Sequence, residues 1–102
     1  MTKLLMCFPK HEGDGLYFDC YGHSEYRSSL GWNDCCVAVS TLCVMLINYV
    51  KDKYDIEPVI LDEGHVRIEI EEPDDMVIEV FRAAERQFMW LSEEYDGHIK
   101  VY

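Results

Sequence analysis

His23, Cys35 and Cys36 are the residues whose types and spacing suit covalent chemistry. A thiolate attacks carbonyl carbons. An imidazole within reach can take the thiol proton and later give one to a leaving amine. His23 follows Gly22 at the expected end of a strand, in the run Tyr21-Gly22-His23-Ser24. The cysteines stand where a helix is expected to begin, in Gly31-Trp32-Asn33-Asp34-Cys35-Cys36-Val37-Ala38-Val39-Ser40. A possible base and two possible nucleophiles therefore lie on either side of one polar loop.

The helix decides between the two thiols. With Asn33 or Asp34 as N-cap, the helix runs to about Lys53. An Asn33 cap makes Cys36 the third helical residue, near the unpaired amides of the first turn. Those amides and the helix dipole favour a thiolate. Cys35 lies about 100° further round the helix. It shares a face with Val39, Leu42 and Leu46, which reads as core, while Cys36 shares its face with Ser40. Cys36 is the better nucleophile, although a free-standing cysteine on a helix is also commonly a small buried apolar residue. Asn33 and Asp34 suit either helix capping or orientation of an imidazole. Tyr17, Tyr21, Tyr26 and Trp32 could line a groove for an apolar side chain or simply pack sheet and loop. His11, His65 and His98 lie in turns or near strand ends and read as solvated surface histidines. Cys20-x-x-His23 with Cys35-Cys36 also offers four zinc ligands. However, adjacent helical cysteines diverge and no second paired motif occurs, so no metal site is expected.

The remaining elements follow from periodicity. Lys3 to Phe8 reads as a strand stopped by Pro9, and Leu16 to Gly22 alternates as a second, forming a hairpin. Ser24 to Trp32 reads as a loop. The first helix is apolar nearly all round, through Val37, Val39, Leu42, Val44, Met45, Leu46, Ile47 and Val50, so burial on more than one side and a subunit interface are expected. Pro58 to Leu61 and Val66 to Ile70 form a second hairpin around Asp62-Glu63-Gly64-His65. Pro73, Asp74 and Asp75 start a second helix, with a stripe of Val77, Val80, Phe81, Ala84, Phe88, Leu91 and Tyr95. His98 to Tyr102 reads as a last strand. The order β-β-α-β-β-α-β predicts an α+β fold: one two-layer domain over 1–102, with a mostly antiparallel sheet and two helices.

The totals bound the function. With 9 basic and 20 acidic side chains among 102 residues, the net charge is -11. Such a charge disfavours nucleic acid and anionic membranes, and suits a basic partner or solubility. The five cysteines are odd in number and include no Cys-x-x-Cys pair. The start resembles a secretion signal only faintly. The apolar run Cys35 to Ile47, broken by Ser40 and Thr41, is shorter than a membrane span. A soluble, cytoplasmic protein with its cysteines reduced is expected.

The paired motif resembles the ribosomal-processing cysteine protease family, Prp. That family has Gly-His near the end of the second strand, here Gly22-His23. A variable loop follows, then a helix start of the form Gly-x-Asp-x-x-Cys-Ala-x-x-Ser, here Gly31 to Ser40. The likeness continues through Gly64-His65 before a strand and Glu93-Glu94-Tyr95 closing the last helix, and so spans essentially the whole chain. The resemblance implies a catalytic His23, a nucleophilic Cys36 and a family serine at Ser40. It also implies that the loop with Tyr26, Gly31 and Trp32 covers the site. Val37 replaces the family alanine, and Asn33 replaces a usual aspartate. Asparagine can accept a hydrogen bond from imidazole but brings no full charge to an imidazolium. The resemblance further implies a cofactor-free homodimer that removes the N-terminal extension of a bacterial large-subunit ribosomal protein after paired phenylalanines. Two alternatives stand beside it: a catalytically weak dimeric peptide-binding module, and a protease for phage structural precursors.

Overall fold

The computed structural model describes residues 1–22, 34–62 and 64–102. Among the described residues the order is β1 (Thr2–Cys7), β2 (Leu16–Tyr21), α1 (Asp34–Tyr54), β3 (Ile60–Asp62), β4 (His65–Ile70), α2 (Asp75–Glu94) and β5 (Ile99–Val101). The strands form one sheet in the order β3-β4-β2-β1-β5. All neighbours are antiparallel except β1 and β5, which run parallel. The α+β architecture and mostly antiparallel sheet are therefore those expected, with element ends shifted by one or two residues.

Alternation sorts the sheet into two faces. Leu4 and Met6, then Leu16, Phe18 and Cys20, then Ile68 and Ile70 are buried, and they form one core with residues of both helices. Phe18 sits at its centre, its ring 6.1 Å from Phe81 and 6.0 Å from Phe88. The opposite face carries Tyr17, Asp19, Tyr21, His65, Arg67 and Glu69, paired across β2 and β4.

Helix α1 packs by a single stripe of Cys35, Val39, Cys43, Leu46 and Val50, all buried. Expected burial on a second side is not met within this chain: Val37, Val44 and Met45 are exposed by 58%, 52% and 45%. The helix also continues beyond the apolar run visible in the sequence. Cys35–Tyr54 is long and apolar enough to cross a membrane by length and composition alone. Here its buried stripe belongs to the same core as the sheet. Asp55, with φ 56°, ends the helix, and its N–H donates to the Lys51 carbonyl at 2.9 Å.

Helix α2 starts at a carboxylate cap. Asp74 Oδ1 accepts from the Val77 N–H at 2.9 Å, and Asp74 Oδ2 pairs with Lys53 Nζ at 2.9 Å. The Val77 amide, then Lys53, hold the Asp74 carboxyl below its ordinary value. Because the folded-state value is the depressed one, the stabilisation is full above the ordinary carboxylate range and is lost as pH falls from there through the depressed folded-state value. Asp74→Asn keeps the cap acceptor but removes this titration. Acid unfolding followed by circular dichroism is therefore expected to begin at higher pH in wild type, relative to its neutral-pH stability, than in Asp74→Asn. Parallel acid profiles would contradict the assignment.

Candidate active site

Cys36 is the third residue of α1, as the sequence predicts for a helix capped at Asn33. Cys35 is fully buried in the core, whereas Cys36 is half-buried and lines a cleft of about 380 Å³. The 100° step between neighbouring helical residues produces this divergence. Ser40, exposed one turn later, lines the same cleft. Val39, Cys43, Val44 and Ile47 continue the α1 wall, and Leu61, Asp62, Gly64, His65 and Val66 of the β3–β4 hairpin face it.

Gly22 brings the end of β2 to this cleft. Its N–H donates to the Gly64 carbonyl at 2.8 Å, extending the β2–β4 ladder by one step. Its φ is +91°, and a Cβ there would run into the Met1 carbonyl oxygen. Gly22→Ala is thus expected to destabilise the fold by about 1–2 kcal/mol from the left-handed backbone alone, with the Met1 clash in addition. A urea titration reads this directly, and an unchanged midpoint would show that the β2 end is not so held.

At the cleft wall, His65 Nε2 lies 2.6 Å from Asp19 Oδ1. Since a carboxylate only accepts, the tautomer carries its proton on Nε2. The Tyr21 ring stands 5.8 Å from the His65 ring, and Lys3 lies 6.0 Å from the Tyr21 centroid. His65 is therefore not the solvated histidine expected from sequence: cross-strand pairing fixes it against β2 and clamps the strand end that leads to position 23. At the cleft floor, the Cys20 thiol is hydrogen-bonded with Cys43. That bond and burial push the Cys20 thiol far up, so it stays neutral. Among the described residues, no group of three or more His, Cys, Asp or Glu side chains is arranged to hold a metal.

The structure brings together Cys36, Ser40 and Gly22. Asp34 is the first residue of α1. His23, Tyr26, Gly31, Trp32 and Asn33 lie outside the described residues. Sequence reasoning missed Val44, Ile47, Leu61 and Asp62 as cleft residues. The helical positions were recoverable, because residues 43, 44 and 47 continue the face of Cys36. The hairpin positions were not, because no local pattern specifies that β4 pairs with β2. A depression of about 550 Å³ by Gly13, Gly15, Tyr17, Glu69, Glu71 and Glu72 contains no cysteine or histidine.

Comparison with solved structures gives full-length matches. The first is the ribosomal processing protease Prp from S. aureus, in a complex with a covalently linked product peptide. It has a TM-score of 0.73 and 19% identity over 99% of this chain and 97% of that one. This chain has the Prp fold. The same protease with a substrate peptide matches with a TM-score of 0.70 and 16% identity, over 100% of this chain and 98% of that one. SMU.848 from Streptococcus mutans matches with a TM-score of 0.68 and 21% identity, over 99% and 91%. No family model and no curated protein sequence matches the chain.

Proposed function

We propose that this chain is a cysteine endopeptidase of the Prp type, removing the N-terminal extension of a bacterial large-subunit ribosomal protein in the cytoplasm. The observation that carries the reading is the placement of Cys36: at the start of α1, on a cleft shared with Gly22, the residue before His23. The Prp fold and the peptide complexes of the S. aureus protease support it.

In the proposed mechanism His23 takes the proton of Cys36. The thiolate attacks the scissile carbonyl, and amides at the start of α1 receive the oxyanion. His23 protonates the leaving amine, which departs and leaves a thioester. Water, activated by the same imidazole, then hydrolyses the thioester and regenerates the thiol. Asn33 accepts from the imidazole, Asp34 supports the helix start, Ser40 borders the peptide, and the loop with Tyr26, Gly31 and Trp32 closes over it. No metal, organic cofactor, nucleic acid or membrane takes part. Val37 and Met45, apolar and exposed, form part of a homodimer interface in this reading.

The test is incubation with a peptide carrying paired phenylalanines, followed by mass spectrometry, alongside alkylation with iodoacetamide at several pH values. Cleavage and pH-dependent labelling of Cys36 are expected. Cys7, which is exposed, provides the reference rate, and the buried Cys20, Cys35 and Cys43 stay protected. Intact peptide together with labelling of Cys36 no faster than Cys7 would sink the protease. The replacement of the family aspartate by Asn33 would then favour the peptide-binding module.

A further inference from the structure

The β2–β4 ladder ends in a rung made of two glycines. Gly22 and Gly64 have φ of +91° and +81°, and the Gly22 N–H donates to the Gly64 carbonyl at 2.8 Å. Neither brings a side chain, and glycine leaves the backbone free to turn. Strand ends also open more readily than strand centres. Yet the chain leaves β2 through this rung toward His23, whose Cα stands one step of about 3.8 Å beyond that of Gly22. A rung of this kind needs support from its neighbours to fix that exit.

The side chains just before it supply the support. Tyr21 and His65 are partners across the strands, and Asp19 stands opposite Arg67. Arg67 is turned to other groups. Its Nε and a terminal nitrogen donate to Glu69 Oε1 at 3.1 and 2.9 Å, and its guanidinium lies 4.5 Å from the Tyr17 centroid. Asp19 is thereby left to its diagonal neighbour, and His65 Nε2 donates to Asp19 Oδ1 at 2.6 Å. A hydrogen bond to a carboxylate is stronger than one between neutral groups. The Asp19 side chain is only 15% exposed, so losing this partner would leave a largely desolvated carboxylate. The Tyr21 ring stands against His65, and Lys3 of β1 lies over that ring. The tie therefore spans β1, β2 and β4, on the sheet face opposite Cys20 and Val66.

We propose that Asp19 and His65 are positioning residues of the cleavage reaction. Their bond holds the all-glycine rung closed and so fixes the point from which His23 is presented to the Cys36 cleft. The proposal rests on His23 and Cys36 as the reacting pair, and the two residues act through Gly22 rather than on the reacting atoms. A misplacement of about 1 Å at a reacting group can cost about 100-fold in rate. A looser exit therefore costs turnover more than peptide affinity.

The experiment reads the strand exit and the chemistry separately. Asp19→Ala, His65→Ala, the double alanine variant and Asp19→Asn are compared with wild type by NMR hydrogen exchange of the Gly22 amide and by cleavage of a paired-phenylalanine peptide. Each single alanine variant is expected to speed Gly22 exchange at least about 10-fold, with the Tyr95 amide at the end of α2 unchanged. In both, kcat falls about 10-fold while KM stays within about twofold. The double variant is no worse than either single one, because the two residues act as a pair. Asp19→Asn keeps an acceptor for Nε2 and recovers most of both losses. Glu69→Gln, on the same face but further from the exit, leaves both readouts unchanged. Unchanged Gly22 exchange, a loss carried by KM, or a kcat that falls only in step with the urea midpoint overturns the proposal, as does faster exchange with unchanged kcat. Failure of wild type to cleave overturns the protease reading instead, and Gly22 exchange in the same variants then decides by itself whether the pair holds the strand exit.

Discussion

Cys36→Ala is expected to abolish peptide cleavage, lowering kcat by about 10⁴-fold or more, because covalent catalysis has no substitute for its nucleophile. Cys35→Ala is expected to retain cleavage. Its side chain is fully buried against the core, so its loss costs stability, on the order of 1 kcal/mol, rather than chemistry. The pair of variants is informative because the residues are adjacent in sequence and differ only in the direction that the helix gives them. His23→Ala should resemble Cys36→Ala, and the double variant should be little worse than either, since residues acting as one unit are not additive. Quantitative mass spectrometry of a paired-phenylalanine peptide measures all four. Similar losses in Cys35→Ala and Cys36→Ala, with both proteins folded, would refute the assignment of the nucleophile.

The largest stability effect is expected at Phe18. Its ring is fully buried between β2 and α2, against Phe81 and Phe88. Truncation to alanine leaves a cavity that the sheet cannot close, at a cost of about 3–5 kcal/mol. For a chain of this size total stability is on the order of 5–15 kcal/mol, so the melting temperature should fall by roughly 15–30 °C. Trp90, on the outer face of α2 and exposed by 51%, is larger yet should change stability by less than about 0.5 kcal/mol on truncation. Differential scanning calorimetry distinguishes the two. Phe18 also bears on the site, because β2 carries the backbone on to Gly22. A partly folded Phe18→Ala should therefore lose cleavage before it loses helix.

The fold places the candidate nucleophile Cys36 at the start of α1, on a cleft that Gly22 at the end of β2 also lines. That arrangement explains why a 102-residue chain can afford an apolar cleft. The cleft walls are also core elements: the buried stripe of α1 on one side and the β2–β4 ladder on the other. Asn33 stands where the motif that the sequence resembles has an aspartate. If His23 and Cys36 act as proposed, asparagine brings no full charge to an imidazolium, so the pH range of cleavage is the property expected to change in an Asn33→Asp variant.

By itself the amino-acid sequence determined whatever depends on neighbours along the chain. Period-two alternation marked β2 and β4, a stripe at spacings of three and four marked α2, and Asp74 with Asp75 marked its start. The angular step of the helix separated Cys35 from Cys36. Each is a local property, readable over a few residues. Only the tertiary structure decided which strands meet. Pairing β4 with β2 joins residues more than forty positions apart, and that pairing sets Leu61, Asp62 and Gly64 opposite Cys36. It also binds His65 to Asp19 and ties Gly22 to Gly64. It leaves one side of α1 bare, where the sequence alone suggested cover. These outcomes depend on sheet order, which is set by long-range burial of the common core and leaves no signature in any single segment.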